Sequence, residues 1–234
     1  MSKLAVITGG TKGIGRAVIE KFAAEKFDIA TCSRNASELA DLKCHIESTY
    51  LVKAYVFTAD LSDKSQVKAF TQFVNDLTVP VDVLVNNAGY FVPGLVTEES
   101  EGALEGMINA NVYSAYYTTR GLVAAMKSKG SGHIFTMCSI ASIKAYPNGG
   151  SYAISKFALL GFTKVLREEL KDSGIRVTAV LPGATRTASW DGINLPDERF
   201  IKPEDVAGAV FGAYSLSPQS VVEEILIRPQ LGDI

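Results

Sequence analysis

The chain has 234 residues, 47% of them hydrophobic and 21% charged, with a net charge of −2 and a pI near 5.8. That balance suits one large globular α/β unit or two small ones, and it argues against a disordered chain, a nucleic-acid surface or an anionic-membrane surface. Three widely spaced cysteines (Cys32, Cys44, Cys138) and two histidines form neither a disulfide framework nor a metal cluster, so no metal is expected.

The opening Met-Ser-Lys-Leu-Ala-Val-Ile-Thr-Gly holds too short an apolar run for a signal peptide, and no stretch approaches the ~20 apolar residues of a membrane span. The chain therefore reads as soluble and cytoplasmic. Short β-branched runs predict seven strands, at 4–8, 28–32, 51–57, 81–85, 133–137, 175–181 and 221–227. Between them, helical patterns fall at 14–25, 36–48, 63–77, 98–128, 151–172 and 204–215. Asn35 with Glu38 resembles a capping box, and Thr97 before Glu98-Glu99 and Pro203 before Glu204-Asp205 read as helix starts.

This alternation implies repeated βαβ units, and hence an α/β fold with a parallel sheet covered by helices on both faces. Right-handed crossovers favour a doubly wound arrangement. No linker or repeat divides residues 1–234, so one domain is expected. The long interruption at 183–202 holds Trp190, Asp191-Gly192 and Pro196, and is expected to serve as a substrate lid over 184–202.

Directly after the first strand, Thr8-Gly9-Gly10-Thr11-Lys12-Gly13-Ile14-Gly15 opens a helix. Glycines here let the backbone turn sharply, approach a pyrophosphate and pack helix on strand. The helix N-terminus offers N–H groups and partial positive charge to phosphates. A tight turn without a ligand is the plainer alternative, but the strand–turn–helix setting favours a dinucleotide. A P-loop is excluded, since no Gly-Lys-Ser/Thr follows the glycines.

Tyr152 and Lys156 stand four residues apart, with Ser139 thirteen residues before Tyr152. On a helix, positions i and i+4 share a face. The adjacent ammonium is expected to lower the phenol pKa from its usual ~10, so that Tyr152 exchanges a proton with a substrate oxygen near neutral pH. Taken singly, each residue reads as ordinary: a solvated Lys, a helix-face Tyr, a strand-end Ser.

Together these motifs resemble the short-chain dehydrogenase/reductase family, and the resemblance covers almost the whole chain. Thr-Gly-x-x-x-Gly-x-Gly is similar to that family's dinucleotide fingerprint, which assigns Gly9, Thr11, Lys12, Gly13, Ile14 and Gly15 to the cofactor. Asp60-Leu61, ending the third strand, is similar to the family's adenine contact. Asn86-Asn87-Ala88-Gly89 matches a tetrapeptide ending the fourth strand, which places Asn87, Ala88 and Gly89 at the cofactor too. Asn111, in Asn-Ala-Asn-Val, matches a structural and proton-relay asparagine holding a water chain behind the lysine. Pro182-Gly183 with Thr185 and Thr187 matches the segment that wraps the nicotinamide.

The resemblance implies a single Rossmann domain with a seven-stranded parallel sheet. It assigns Tyr152 as acid/base, Lys156 as its pKa tuner and ribose ligand, and Ser139 as carbonyl positioner; Ser142 is a rival whose spacing fits less well. Such a set meets the needs of hydride transfer: a bound nicotinamide, a polarised carbonyl and a proton donor. A homodimer or homotetramer on the helices 98–128 and 151–172 is also implied, with Ala153, Ala158 and Gly161 permitting close packing.

The second strand ends Thr31-Cys32-Ser33-Arg34. A carboxylate is usual here for the ribose 2′-OH of NAD, whereas arginine suits a 2′-phosphate. With Ser33 at the acidic position, Arg34 next to it and Lys12 in the glycine turn, NADP(H) is expected.

The C-terminal run Val221-Val222-Glu223-Glu224-Ile225-Leu226-Ile227-Arg228-Pro229 and the segment Ser131-Gly132-His133-Ile134-Phe135 are similar to bacterial sepiapterin-reductase-like members. The expected reaction is NADPH-dependent reduction of a ketone or aldehyde, extending to a pteridine side-chain ketone. A 3-oxoacyl reductase or general alcohol dehydrogenase is the alternative among enzymes. A non-catalytic dinucleotide sensor is the alternative of another class, though a sensor needs no proton donor. His45 and His133 read as structural or solvated, Cys138 as a buried inert thiol, and Tyr113, Tyr116 and Tyr117 as packing or subunit contacts.

Overall fold

Seven strands form in the computed structural model, which describes residues 3–190, 192 and 194–234: β1 (Lys3–Thr8), β2 (Phe27–Ser33), β3 (Ala54–Thr58), β4 (Val81–Asn86), β5 (Gly132–Met137), β6 (Ile175–Pro182) and β7 (Glu224–Ile227). Asp191 of the expected lid lies outside the described residues. The strands pair in parallel in the order β3-β2-β1-β4-β5-β6-β7. The order reverses between β1 and β4, so the chain leaves their carboxyl ends in opposite directions and a crevice opens there.

Helices α1 (Gly13–Ala24), α2 (Ala36–Tyr50), α3 (Lys64–Asn75), α4 (Ala103–Ile108), α5 (Ser114–Lys129), α6 (Gly150–Leu170) and α7 (Pro203–Ser215) alternate with the strands. Phe22 of α1, Ile46 of α2 and Val210 of α7 pack on one sheet face with Ala5, Ile7 and Val85. Phe70 of α3, Leu122 of α5 and Leu166 of α6 pack on the other with Leu4, Val6 and Leu84. Alternate residues of β1 thus go to opposite layers, and burial of both layers is why the strands read as continuous apolar runs.

Three expected boundaries move. The strand expected from 51 starts at Ala54, because Leu51 ends α2 in the left-handed region (φ 57) with 82% of its surface exposed. The last strand starts at Glu224 rather than 221. The helix expected over 98–128 starts at Ala103 and is interrupted by a π turn over Asn109–Tyr113. Glu99 does not open a helix. Its carboxylate accepts from Ser151 N at 2.9 Å and from the Ser151 hydroxyl, and so caps α6, whose own N-cap Gly149 has no side chain to do it.

No described helix is long and apolar enough to cross a membrane. Among the described residues, no cluster of His, Cys, Asp or Glu could hold a metal ion.

His133 is fully buried in β5, stacked on Phe135 at 3.9 Å between centroids. The Thr178 hydroxyl donates to Val222 O (2.6 Å), so toward His133 Nε2 at 2.7 Å it acts as acceptor, and the ring carries its proton on Nε2. Nδ1 is buried with no partner among the described residues, and a proton placed there would be an unpaired interior charge. Burial, with the Arg176 charge adding to it, pushes the imidazole down to about 3 from 6.5. The unfolded chain therefore takes up a proton below pH 6.5 that the folded chain refuses until about 3, and stability falls as the pH drops through that window. Between about pH 7 and pH 5 this group alone should cost the fold about 2 kcal/mol. Urea titrations at the two pH values check it: wild type should lose about that much more stability than His133→Gln, and parallel losses would contradict the assignment.

Candidate active site

The crevice at the carboxyl ends of the strands deepens into a cleft of about 940 Å³. One half is built by the β1–α1 turn. Gly9 and Gly13 adopt positive φ (67° and 55°), and a Cβ on Gly15 would stand 2.4 Å from Gly9 O and 2.5 Å from Asn87 Nδ2. Only glycines permit this turn and this approach. Lys12 is the N-cap of α1 and gives no side-chain bond to it, so among the described residues the first-turn N–H groups beside the cleft have no N-cap side chain on them.

Asn87 locks the turn to β4. Its Nδ2 donates to Thr8 O (2.9 Å) and Gly9 O (3.1 Å), while the Thr8 hydroxyl accepts from the backbone N of Asn87 and Ala88. Ser33 and Arg34 follow β2; Arg34 is exposed and makes no ion pair among the described residues. Asp60 and Leu61 stand just past β3, which ends at Thr58 rather than at Asp60. Asp60 Oδ1 accepts from Ser62 N and the Ser62 hydroxyl (2.9 and 2.7 Å), which fixes the carboxylate toward the cleft wall. Pro182, Gly183, Thr185 and Thr187 line the opposite side, and a Thr185–Ile201 bridge closes the base of the loop that follows β6.

The other half holds Ser139, Tyr152 and Lys156. Ser139 follows β5 and caps a 3-10 turn over Ile140–Ser142, its hydroxyl oxygen accepting from Ala141 N at 3.1 Å. Ser142 is buried and accepts from Ser139 N at 3.2 Å, so it braces the turn and does not reach the cleft. Tyr152 and Lys156 do share a face of α6, with Lys156 Nζ 5.6 Å from the Tyr152 ring centre. Nζ donates to Met137 O at 2.8 Å, and burial pushes the ammonium down to about 8.

The Tyr152 pKa runs opposite to the sequence expectation. Burial pushes the phenol up, and the Ser139 hydrogen bond only partly opposes that. The phenol is protonated at neutral pH, the state required of a proton donor.

Asn111 stands behind this half rather than in it. Fully buried on the π turn, it accepts from Tyr90 N (2.9 Å) through Oδ1 and donates through Nδ2 to Tyr90 O (3.1 Å) and Ser155 Oγ (2.9 Å). The Ser155 hydroxyl in turn donates to Tyr152 O at 2.7 Å, so Asn111 ties the loop after β4 to the turn of α6 that carries Tyr152. Ser155 was missed by sequence reasoning, although it lies inside Tyr-Ala-Ile-Ser-Lys. Phe91, which meets Tyr152 edge-on at 4.8 Å, and Tyr146 also line the cleft, and no local motif marks them. Every other candidate cofactor or catalytic residue lines this one cleft, so glycine turn, cation pair and proton donor face a common space.

Comparison with known proteins accords with this arrangement. Residues 3–197 match the family described as short chain dehydrogenase. The chain is 34% identical to a sepiapterin reductase of Chlorobaculum tepidum over 246 aligned positions, covering 100% of this chain and 99% of the relative. It is also 34% identical to a diacetyl reductase, (S)-acetoin forming, of Staphylococcus epidermidis, over 92% of this chain and 83% of the relative. Among solved structures, an alcohol dehydrogenase from the archaeon Thermococcus sibiricus complexed with 5-hydroxy-NADP superposes with a TM-score of 0.92 at 28% identity, covering 98% of this chain and 97% of that one. L-Sorbose reductase from Gluconobacter frateurii, complexed with NADPH and L-sorbose, gives 0.90 at 27% identity, with 97% and 95% covered.

Proposed function

The chain belongs to the short-chain dehydrogenase/reductase family of oxidoreductases, and from that premise we propose that it reduces a ketone or aldehyde to the alcohol with NADPH. The observation that carries this reading is the meeting of Ser139, Tyr152 and Lys156 in the cleft that the glycine turn opens. The residues present fit a dinucleotide: Gly9 and Gly13 take the positive φ of a tight turn at the cleft, Gly15 lets α1 pack closely on that turn, and α1 offers N–H groups to a pyrophosphate. Lys12 and Arg34 supply cations for a 2′-phosphate, where a carboxylate directly after β2 would have suited NAD. Asp60 and Leu61 take the adenine, Asn87, Ala88 and Gly89 the middle of the cofactor, and Pro182 to Thr187 its nicotinamide end. When bound, NADPH supplies the hydride.

The protein's own part is to orient the carbonyl and deliver a proton. The Ser139 hydroxyl holds the substrate oxygen beside the Tyr152 phenol. Tyr152, kept protonated by burial, donates to that oxygen as it becomes an alkoxide. Lys156 holds the ribose and carries positive charge beneath the phenol. Asn111, with Ser155, keeps the Tyr152 turn in register; the resemblance to the family gives it a further role in a water chain that returns the proton.

Phe91, Tyr146 and Trp190 give the substrate end an aromatic lining that suits a small or flat carbonyl, and both the sepiapterin and the diacetyl reductase relatives point the same way. NADPH consumption with sepiapterin, diacetyl and an acetoacetyl thioester tests this. One of the first two should give the highest kcat/KM. A preference for the thioester would favour 3-oxoacyl reduction, and no turnover on any carbonyl would favour a dinucleotide sensor. Self-association is supported by Ile154, Phe157 and Val165, exposed along one side of α6 with Gly161 open between them.

A further inference from the structure

Glu38 stands in the cofactor corner of the cleft, and no step above uses it. As the third residue of α2 behind an Asn35 N-cap, it would be expected to complete a capping box by accepting from Asn35 N. It does not. The Ser33 hydroxyl takes that N–H at 3.2 Å, and the Asn35 side chain caps Ser37 N and Glu38 N on its own. The Glu38 carboxylate crosses the mouth of the corner instead, with Oε1 2.7 Å from Lys12 Nζ and 3.1 Å from Asn35 Nδ2. Lys12 is 69% exposed and Glu38 30%, so the pair lies at the surface where a ligand can reach it. The Lys12 ammonium, then the Thr11 hydroxyl, hold the carboxyl below its ordinary value, which keeps it charged at neutral pH.

Resting on the reading that Lys12 and Arg34 receive the 2′-phosphate, we infer that Glu38 is a cofactor-specificity residue that restrains the preference for NADPH over NADH. The carboxylate occupies the Lys12 ammonium that a 2′-phosphate needs, and it places a like charge beside that phosphate. Toward the 2′-hydroxyl of NADH the same carboxylate is an acceptor and imposes no such penalty. Lys12 and Arg34 are thus partly offset by Glu38, and the corner retains affinity for both cofactors.

The test is the dissociation constant of NADPH and of NADH, by fluorescence titration, for wild type, Glu38→Gln and Arg34→Ala. Glu38→Gln keeps the size of the side chain and a hydrogen bond to Asn35 while removing the charge. It should raise the NADPH-over-NADH affinity ratio by about fivefold at low salt, mainly through tighter NADPH binding. The gain should shrink as salt rises. A structural effect of the substitution would move both cofactors together and leave the ratio alone. An unchanged or lowered ratio in Glu38→Gln, with the ratio collapsed in Arg34→Ala, overturns this inference and leaves the phosphate site standing. An unchanged ratio in Arg34→Ala overturns the site reading itself.

Discussion

Tyr152→Phe should reduce ketone-dependent NADPH oxidation by about 10³-fold while leaving the NADPH dissociation constant nearly unchanged. The substitution removes one oxygen, and the ring that packs edge-on against Phe91 is retained, so the fold and the cleft wall should survive. What disappears is the proton for the alkoxide. Burial raises the phenol pKa and the Ser139 hydroxyl lowers it, and the balance keeps the proton on Tyr152 at neutral pH. Reduction should therefore be the faster direction near neutrality, and alcohol oxidation by the same residue should gain as the pH rises. Steady-state rates in both directions, with a parallel titration of NADPH binding, measure this. Retained reduction in Tyr152→Phe would mean that another group supplies the proton.

Arg34→Ala should lower the NADPH-over-NADH ratio of kcat/KM by about 30-fold, as expected for a lost charge-assisted bond to a phosphate. Arg34 is exposed at the cofactor corner and makes no ion pair among the described residues, so its removal breaks nothing that holds the fold. NADH kinetics should hardly move, which makes each cofactor the control for the other. An unchanged ratio would show that the 2′-phosphate is read elsewhere.

The fold was legible because the inner strands β1, β2, β4, β5 and β6 are buried on both faces, so their β-branched runs stand out between amphipathic helices. The site was legible for a related reason. Much of it hangs from strand ends: the Gly9 to Gly15 turn and Asn87 directly follow β1 and β4, Ser139 stands two residues past β5, and Pro182 ends β6. What escaped was set by distant partners. Thr97 with Glu98 and Glu99 carries a local helix-start pattern, yet Glu99 is claimed by Ser151, 52 residues on, and the helix waits until Ala103. Leu51 looks like a strand residue by composition but serves as the left-handed end of α2. Ser155, Phe91 and Tyr146 acquire their places from contacts made across the cleft and along α6, where no spacing in the chain announces them. The lowered phenol pKa expected of Tyr152 failed for the same reason. Sharing a helix face with Lys156 was outweighed by burial of the phenol, which the spacing of the two residues does not reveal, while the ammonium donates to Met137 O.

The most direct test of the central claim is isotope transfer. NADPH carrying deuterium at the transferable nicotinamide position is incubated with the enzyme and the best ketone of the panel, and the alcohol is weighed by mass spectrometry. One deuterium should appear on the former carbonyl carbon, and the label should stay with the cofactor when Tyr152→Phe replaces wild type. Alcohol formed without deuterium from labelled cofactor, or labelled alcohol formed equally well by Tyr152→Phe, would contradict hydride transfer completed by a proton from Tyr152.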